Sequence, residues 1–124
     1  MTERGLILFA HGSREPRWAE PFEAIAQRVR DALPGVAVRL AFLERMEPDL
    51  ASALGAFAAE GVKRATVVPL FLGQGGHLRD DLPRLVRAIA EEQRALDITL
   101  APVAGESPIV LDALAAYCVQ ALRG

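Results

Sequence analysis

The sequence predicts an α/β fold of three layers, a four-stranded parallel sheet in the order 2-1-3-4 between helices. Short apolar runs with strand character alternate four times with longer stretches whose apolar residues recur at three- and four-residue spacing. The first and third runs, Gly5 to Ala10 and Arg64 to Leu70, lack polar alternation, as strands buried on both faces of a parallel sheet do. Right-handed crossovers between such units then favour a doubly wound sandwich. The 124 residues, 52% of them hydrophobic, suit one domain over residues 1–124 with a core of its own.

Taken in order, strands are expected at Gly5 to Ala10, Val36 to Phe42, Arg64 to Leu70 and Asp97 to Pro102, with Pro69 near a strand end because it cannot donate to a ladder. The first helix follows from Trp18, Phe22, Ile25, Val29 and Leu33, one apolar stripe opposite Arg17, Glu20, Glu23, Arg28, Arg30 and Asp31. Pro21 must lie in its first turn, so its start is expected near Arg17 or Trp18, and Pro34 and Gly35 end it. A second helix runs from Pro48, buries Leu50, Leu54 and Phe57, and stops at Gly61. The third carries Leu82, Leu85, Val86, Ile89 and Leu96, with Asp80 and Asp81 as N-caps. The fourth opens at Ser107 and Pro108 and is expected to turn Val110, Leu114, Tyr117, Cys118 and Ala121 inward.

Composition excludes several roles. Sixteen acidic residues against 14 Lys and Arg leave a net charge of −2, without the basic field of a general nucleic-acid binder. One cysteine, Cys118, cannot form an intrachain disulfide. The first apolar run is too short for a secretory signal and the 65–78 stretch too short and too rich in Gly and Pro to span a bilayer. The expectation is a cytoplasmic protein with no nucleic-acid or membrane partner.

Chemistry should sit in the loops after the strands, where strand ends and helix starts converge. Those loops hold both histidines: His11 after the first strand, Glu44 after the second and His77 after the third, 33 residues apart at each step. Two imidazoles and a carboxylate suit a divalent first-row ion, or proton transfer near neutrality. Each also has an ordinary reading: His11 bonding the next turn, Glu44 solvated or capping. Gly73, Gly75 and Gly76 offer close backbone approach, with N–H groups toward an anion, or form only a tight turn. No Gly-Lys-Ser/Thr follows, so this is no Walker loop. Arg14, Arg45 and Arg79 share these loops and could meet ligand carboxylates or simply face water. Phe71 and Leu72 stand at the mouth of the crevice and could floor an apolar macrocycle.

With those residues named, the chain resembles the sirohydrochlorin chelatases, the class II chelatase family, in its short single-domain CbiX-type form. The resemblance runs nearly end to end and is most specific in Leu6-Ile-Leu-Phe-Ala-His-Gly-Ser-Arg14, in Phe42-Leu-Glu44 with Pro48 beyond, and in Val68-Pro-Leu-Phe-Leu-Gly-Gln-Gly-Gly-His77 followed by Asp81-Leu-Pro83. It implies a chelatase-like fold and an ATP-independent enzyme that inserts Co2+, Fe2+ or Ni2+ into sirohydrochlorin, in cobalamin or siroheme biosynthesis. It implies His11 and His77 as metal-binding and catalytic, and Glu44 as their acidic partner. Ser13, Arg14, Arg45, Phe71, Leu72, Gly73, Gly75, Gly76 and Arg79 are then expected around the substrate. The metal would be a substrate, and no tightly bound cofactor is expected. Long members carry two such halves in tandem, so a single half implies a homodimer. The main alternative is a non-catalytic metal or tetrapyrrole carrier. A histidine phosphatase fits poorly, since Ala10 stands where that chemistry wants an arginine.

Overall fold

The computed structural model describes residues 3–73 and 75–124. Strand β1 (Arg4–Ala10) leads through a 3-10 turn at Pro16–Ala19 into helix α1 (Glu20–Ala32), then β2 (Ala37–Phe42), α2 (Leu50–Ala59), β3 (Arg64–Pro69), α3 (Gly76–Glu92), β4 (Asp97–Leu100), a second 3-10 turn at Ala104–Glu106, and α4 (Pro108–Arg123). The sheet is parallel throughout, in the expected order β2-β1-β3-β4.

One face packs against α2 and α3: Ile7, Phe9, Ala65 and Val67 meet Leu50, Leu54, Phe57, Leu82, Val86 and Ile89. The other packs Leu8, Val38, Leu40 and Phe42 against α1 through Phe22, Ala26 and Val29. Alternate strand side chains supply the two faces because successive residues of a strand point to opposite sides. Strand β1, central and covered on both sides, is buried from Ile7 to Ala10.

Local chemistry moved three helix starts. Pro16 sets off a 3-10 turn, so α1 begins at Glu20 with Pro21 in its first turn, later than the Arg17 or Trp18 expected. Helix α2 starts at Leu50, two residues after Pro48, because the Asp49 carboxylate accepts a bond from the Ser52 N–H at 2.8 Å and caps the helix there. Gly61, at φ +88, follows its end as expected. Helix α3 begins at Gly76, so Asp80 and Asp81 are interior residues rather than N-caps. Pro83 also lies within it, and its missing N–H leaves the Arg79 carbonyl without the usual helical donor.

The largest correction concerns α4. Val110 is only half-buried, and Leu114, Tyr117, Cys118 and Ala121 are exposed rather than inward. The helix departs from the 3-10 turn at Ala104–Glu106 instead of folding back over β3 and β4. That half of the sheet's α1 face is consequently open, with a hollow of about 220 Å³ lined in part by Leu6, Thr66, Thr99, Leu33 and Val36. The open face also explains why β3, unlike β1, alternates buried with half-buried residues. No helix among the described residues is long and apolar enough to cross a membrane.

Candidate metal and macrocycle site

The expected site residues gather at the carboxyl edge of the sheet. His11 directly follows β1 and is exposed. Beyond the last strand pairs, β1 and β2 stay joined: the Leu43 N–H donates to the Ala10 carbonyl at 2.8 Å and the Glu44 N–H to the His11 carbonyl at 3.0 Å. Glu44 is thus tied to His11 by backbone, while its carboxylate is exposed and pairs with Arg45 Nε at 3.5 Å. His77, also exposed, is the second residue of α3, after β3, the strand beside β1. Among the described residues no three His, Cys, Asp or Glu side chains form a ready metal cage.

The turn between His11 and α1 is shaped by Gly12 at φ +91, and the Ser13 hydroxyl accepts from the Glu15 N–H at 3.1 Å. Arg45 itself takes φ 66, a left-handed conformation uncommon outside glycine. The two turns meet: Gly12, Ser13, Arg14 and Arg45 line an open hollow of about 370 Å³ carrying two guanidinium groups.

After β3 the two apolar residues part company. Leu72 is 65% exposed, but Phe71 is 2% exposed and lies under the His11 ring, centroid to centroid 4.4 Å. The expected floor of the crevice is therefore Leu72 alone; Phe71 touches His11 and not the open space. Gly73, Gly75 and Gly76 all have ordinary φ, and a β-carbon on any of them would meet nothing within 4 Å. Neither backbone strain nor internal crowding calls for glycine there, and what the three leave is free room beside His77. Gln74 lies outside the described residues. Arg79 stands one turn along α3 and lines, with Glu106 and Leu100, a further hollow of about 310 Å³.

Sequence reading passed over Gly105 and the link from Phe71 to His11. The Gly105 N–H donates to the Phe71 carbonyl at 2.9 Å, and no pattern of spacing signals such a contact between chain segments 34 residues apart.

Comparison with known proteins identifies relatives of the chain and of its fold. The CbiX family model covers residues 5–121. A sirohydrochlorin cobaltochelatase of Methanosarcina barkeri is 37% identical over 87 residues, 69% of this chain and 67% of that protein. One from Saccharolobus solfataricus is 33% identical over 107 residues, 82% of each. The crystal structure of a CbiX protein from Marinobacter aquaeolei VT8 superposes with a TM-score of 0.85 at 33% identity, covering 97% of this chain and 98% of that one. The sirohydrochlorin chelatase SirB of Bacillus subtilis subspecies spizizenii, solved in complex with cobalt, superposes with a TM-score of 0.68 at 25% identity; this chain covers 45% of its length.

Proposed function

The chain belongs to the CbiX family, and from that membership and the geometry of the strand-end loops we propose that it is a sirohydrochlorin cobaltochelatase. It inserts a divalent ion into sirohydrochlorin, and the names of its relatives favour Co2+ over Fe2+ and Ni2+. The observation that carries this reading is that both histidines are exposed at the carboxyl ends of neighbouring strands, beside a glycine segment that opens space and crowds nothing.

The chemistry follows from those residues. The ion is a substrate and must be surrendered, so two imidazoles without a closed cage suit the task better than a saturated structural site. His11 and His77 hold it, and Glu44 is the acidic partner whose backbone is fixed to His11. As the ion enters the macrocycle, two pyrrole N–H protons leave, and neutral imidazole or carboxylate accepts them. Charge balances with no redox step and no nucleotide, and no tightly bound cofactor is required. Bringing macrocycle and ion into one place turns a bimolecular encounter into a local exchange of ligands.

Substrate carboxylates are proposed to meet Arg14, Arg45 and Ser13 on one side and Arg79 with the first-turn N–H groups of α3 on the other. Leu72 supplies the apolar contact, and Gly73, Gly75 and Gly76 the clearance. Local positive charge of this kind orients an anionic substrate although the whole chain is at −2.

The proposal includes a homodimer, supported by the unpartnered apolar surface of α4 and the open sheet face, and a cytoplasmic location, which the free thiol of Cys118 suits.

The test is anaerobic absorbance of sirohydrochlorin with Co2+, Fe2+ or Ni2+ in turn, using wild type, His11→Ala and His77→Ala. Many equivalents of product per chain with Co2+, and loss of rate in both variants, are expected. Product stopping at one equivalent would make the protein a carrier, and variants as fast as wild type would remove the two histidines from the reaction.

A further inference from the structure

We infer that Phe71, clamped by Gly105, is a positioning residue that sets the His11 ring for the metal; the inference rests on the chelatase reading of His11. Three contacts lead to it. The Phe71 ring is 4.4 Å from that of His11, tilted by 41°, and 5.8 Å from that of Phe9, itself fully buried. His11 is thus an exposed imidazole standing on a buried aromatic column rooted in the sheet.

The second contact fixes the column from behind. Phe71 lies just past the end of β3, outside the strand ladder. Its carbonyl accepts from the Gly105 N–H, which belongs to the 3-10 turn between β4 and α4. The third contact shows how tight that clamp is: a β-carbon on Gly105 would fall 1.6 Å from the Leu72 carbonyl oxygen and 2.5 Å from its carbon. Backbone meets backbone there, so no rotamer change could relieve a larger residue. At Gly105, therefore, a single added methyl group would displace Phe71 and Leu72 together.

The functional consequence concerns ring orientation. An exposed imidazole swings about two side-chain torsions, and a metal ligand must present one nitrogen lone pair in a fixed direction. Among the described residues no side chain hydrogen-bonds a His11 ring nitrogen, so the contact with the Phe71 ring is the one that restrains the imidazole. Hydrogen-bonding partners that orient a metal-bound histidine typically alter metal affinity about 10- to 100-fold when removed, and the lower end of that range is the scale taken for an aromatic contact. A tilted aromatic contact is here the orienting one.

Co2+ binding to the full chain tests this, measured calorimetrically for wild type, Phe71→Leu, Gly105→Ala and His11→Ala, and for each of the first two combined with His11→Ala. Each single change is expected to weaken Co2+ binding about tenfold and to add nothing once His11 is gone. Gly105→Ala, which keeps every aromatic ring, should also shift the imidazole NMR signals of His11 and leave those of His77 in place. If Phe71→Leu destabilises the protein, the glycine variant still decides. Equal losses with and without His11, or unmoved His11 signals with unchanged Co2+ affinity, would reduce Phe71 to core packing and overturn the inference. Coupled Co2+ binding with no metallation of sirohydrochlorin would keep the positioning role and remove the chelatase reading instead.

Discussion

Gly12 lies so close to the Glu44 carbonyl that a β-carbon on it would sit 1.8 Å from that oxygen. Its φ of +91 is disfavoured for any other L-residue as well. The two loops bearing His11 and Glu44 can therefore close on one another only with glycine between them. Gly12→Ala should cost about 1–3 kcal/mol from the backbone conformation alone, and the forced retreat of Glu44 should break its bond to His11. Loss of metallation well beyond what the fall in melting temperature accounts for is expected. A variant as active as wild type would show that the loop contact is dispensable.

Gly5 and Phe57 make a second close fit, this time in the core. A β-carbon on Gly5 would approach Phe57 Cε2 to 2.5 Å, and the Phe57 ring is fully buried with the Arg39 guanidinium 5.2 Å from its centre. Strand β1 is paired on both sides, so its backbone has little freedom to yield. Gly5→Ala should destabilise by about 1–3 kcal/mol, as overpacking does. Adding Phe57→Leu should restore part of that loss, since each change relieves the other. Chemical denaturation of the two single variants and the double variant reads the coupling, and strictly additive losses would contradict the contact.

Much of this was legible in the sequence because two periods dominate it. Burial on both faces wrote an uninterrupted apolar run into β1, and the stripe of Trp18, Phe22, Ile25, Val29 and Leu33 marked α1, although Ile25 and Leu33 prove exposed while Ala26, outside that stripe, is fully buried. Right-handed crossovers narrowed the topologies, and the order 2-1-3-4 chosen among them is the one observed. Loop placement of His11, Glu44 and His77 was equally readable, being a matter of counting βα units. What spacing could not convey was tertiary: that Phe71 would turn inward under His11, and that Asp80 and Asp81 would be overtaken by a helix starting at Gly76. Helix α4 shows the limit most clearly. Its apolar spacing led to an inward orientation that the structure does not show, because periodicity marks an apolar surface without saying what packs on it.

The Asp49 cap makes an acid-dependent prediction. Bonds from Ser52, backbone first and side chain second, hold the Asp49 carboxyl below its ordinary value of 3.8. A carboxyl depressed on folding stabilises the native state above the unfolded-state pKa, and that contribution disappears as pH falls through the lower folded value. Asp49→Ala should therefore cost about 1 kcal/mol near neutrality and progressively less from about pH 4 downward. Urea midpoints of the two proteins at neutral and strongly acidic pH check this; a gap that stayed constant into acid would mean the carboxylate does not supply the stabilisation.

The exposed face of α4 predicts assembly. Along Pro108–Arg123 the polar side chains after Ser107 are Asp112, Gln120 and Arg123, spaced eight and three apart on one side of the helix. The rest is apolar, with Ile109 81%, Tyr117 68% and Leu122 90% exposed. Helices apolar over most of their circumference are normally buried, and full burial of one large apolar side chain is worth about 1.5–3 kcal/mol. Two copies that cover these helices should give a dimer whose melting temperature rises with protein concentration. Tyr117→Asp or Leu122→Asp touches nothing essential in a lone chain, yet either should yield monomers and abolish that concentration dependence. Sedimentation equilibrium gives the mass directly. A wild-type chain that sediments as a monomer, or aspartate variants that remain dimeric, would place the interface elsewhere or remove it.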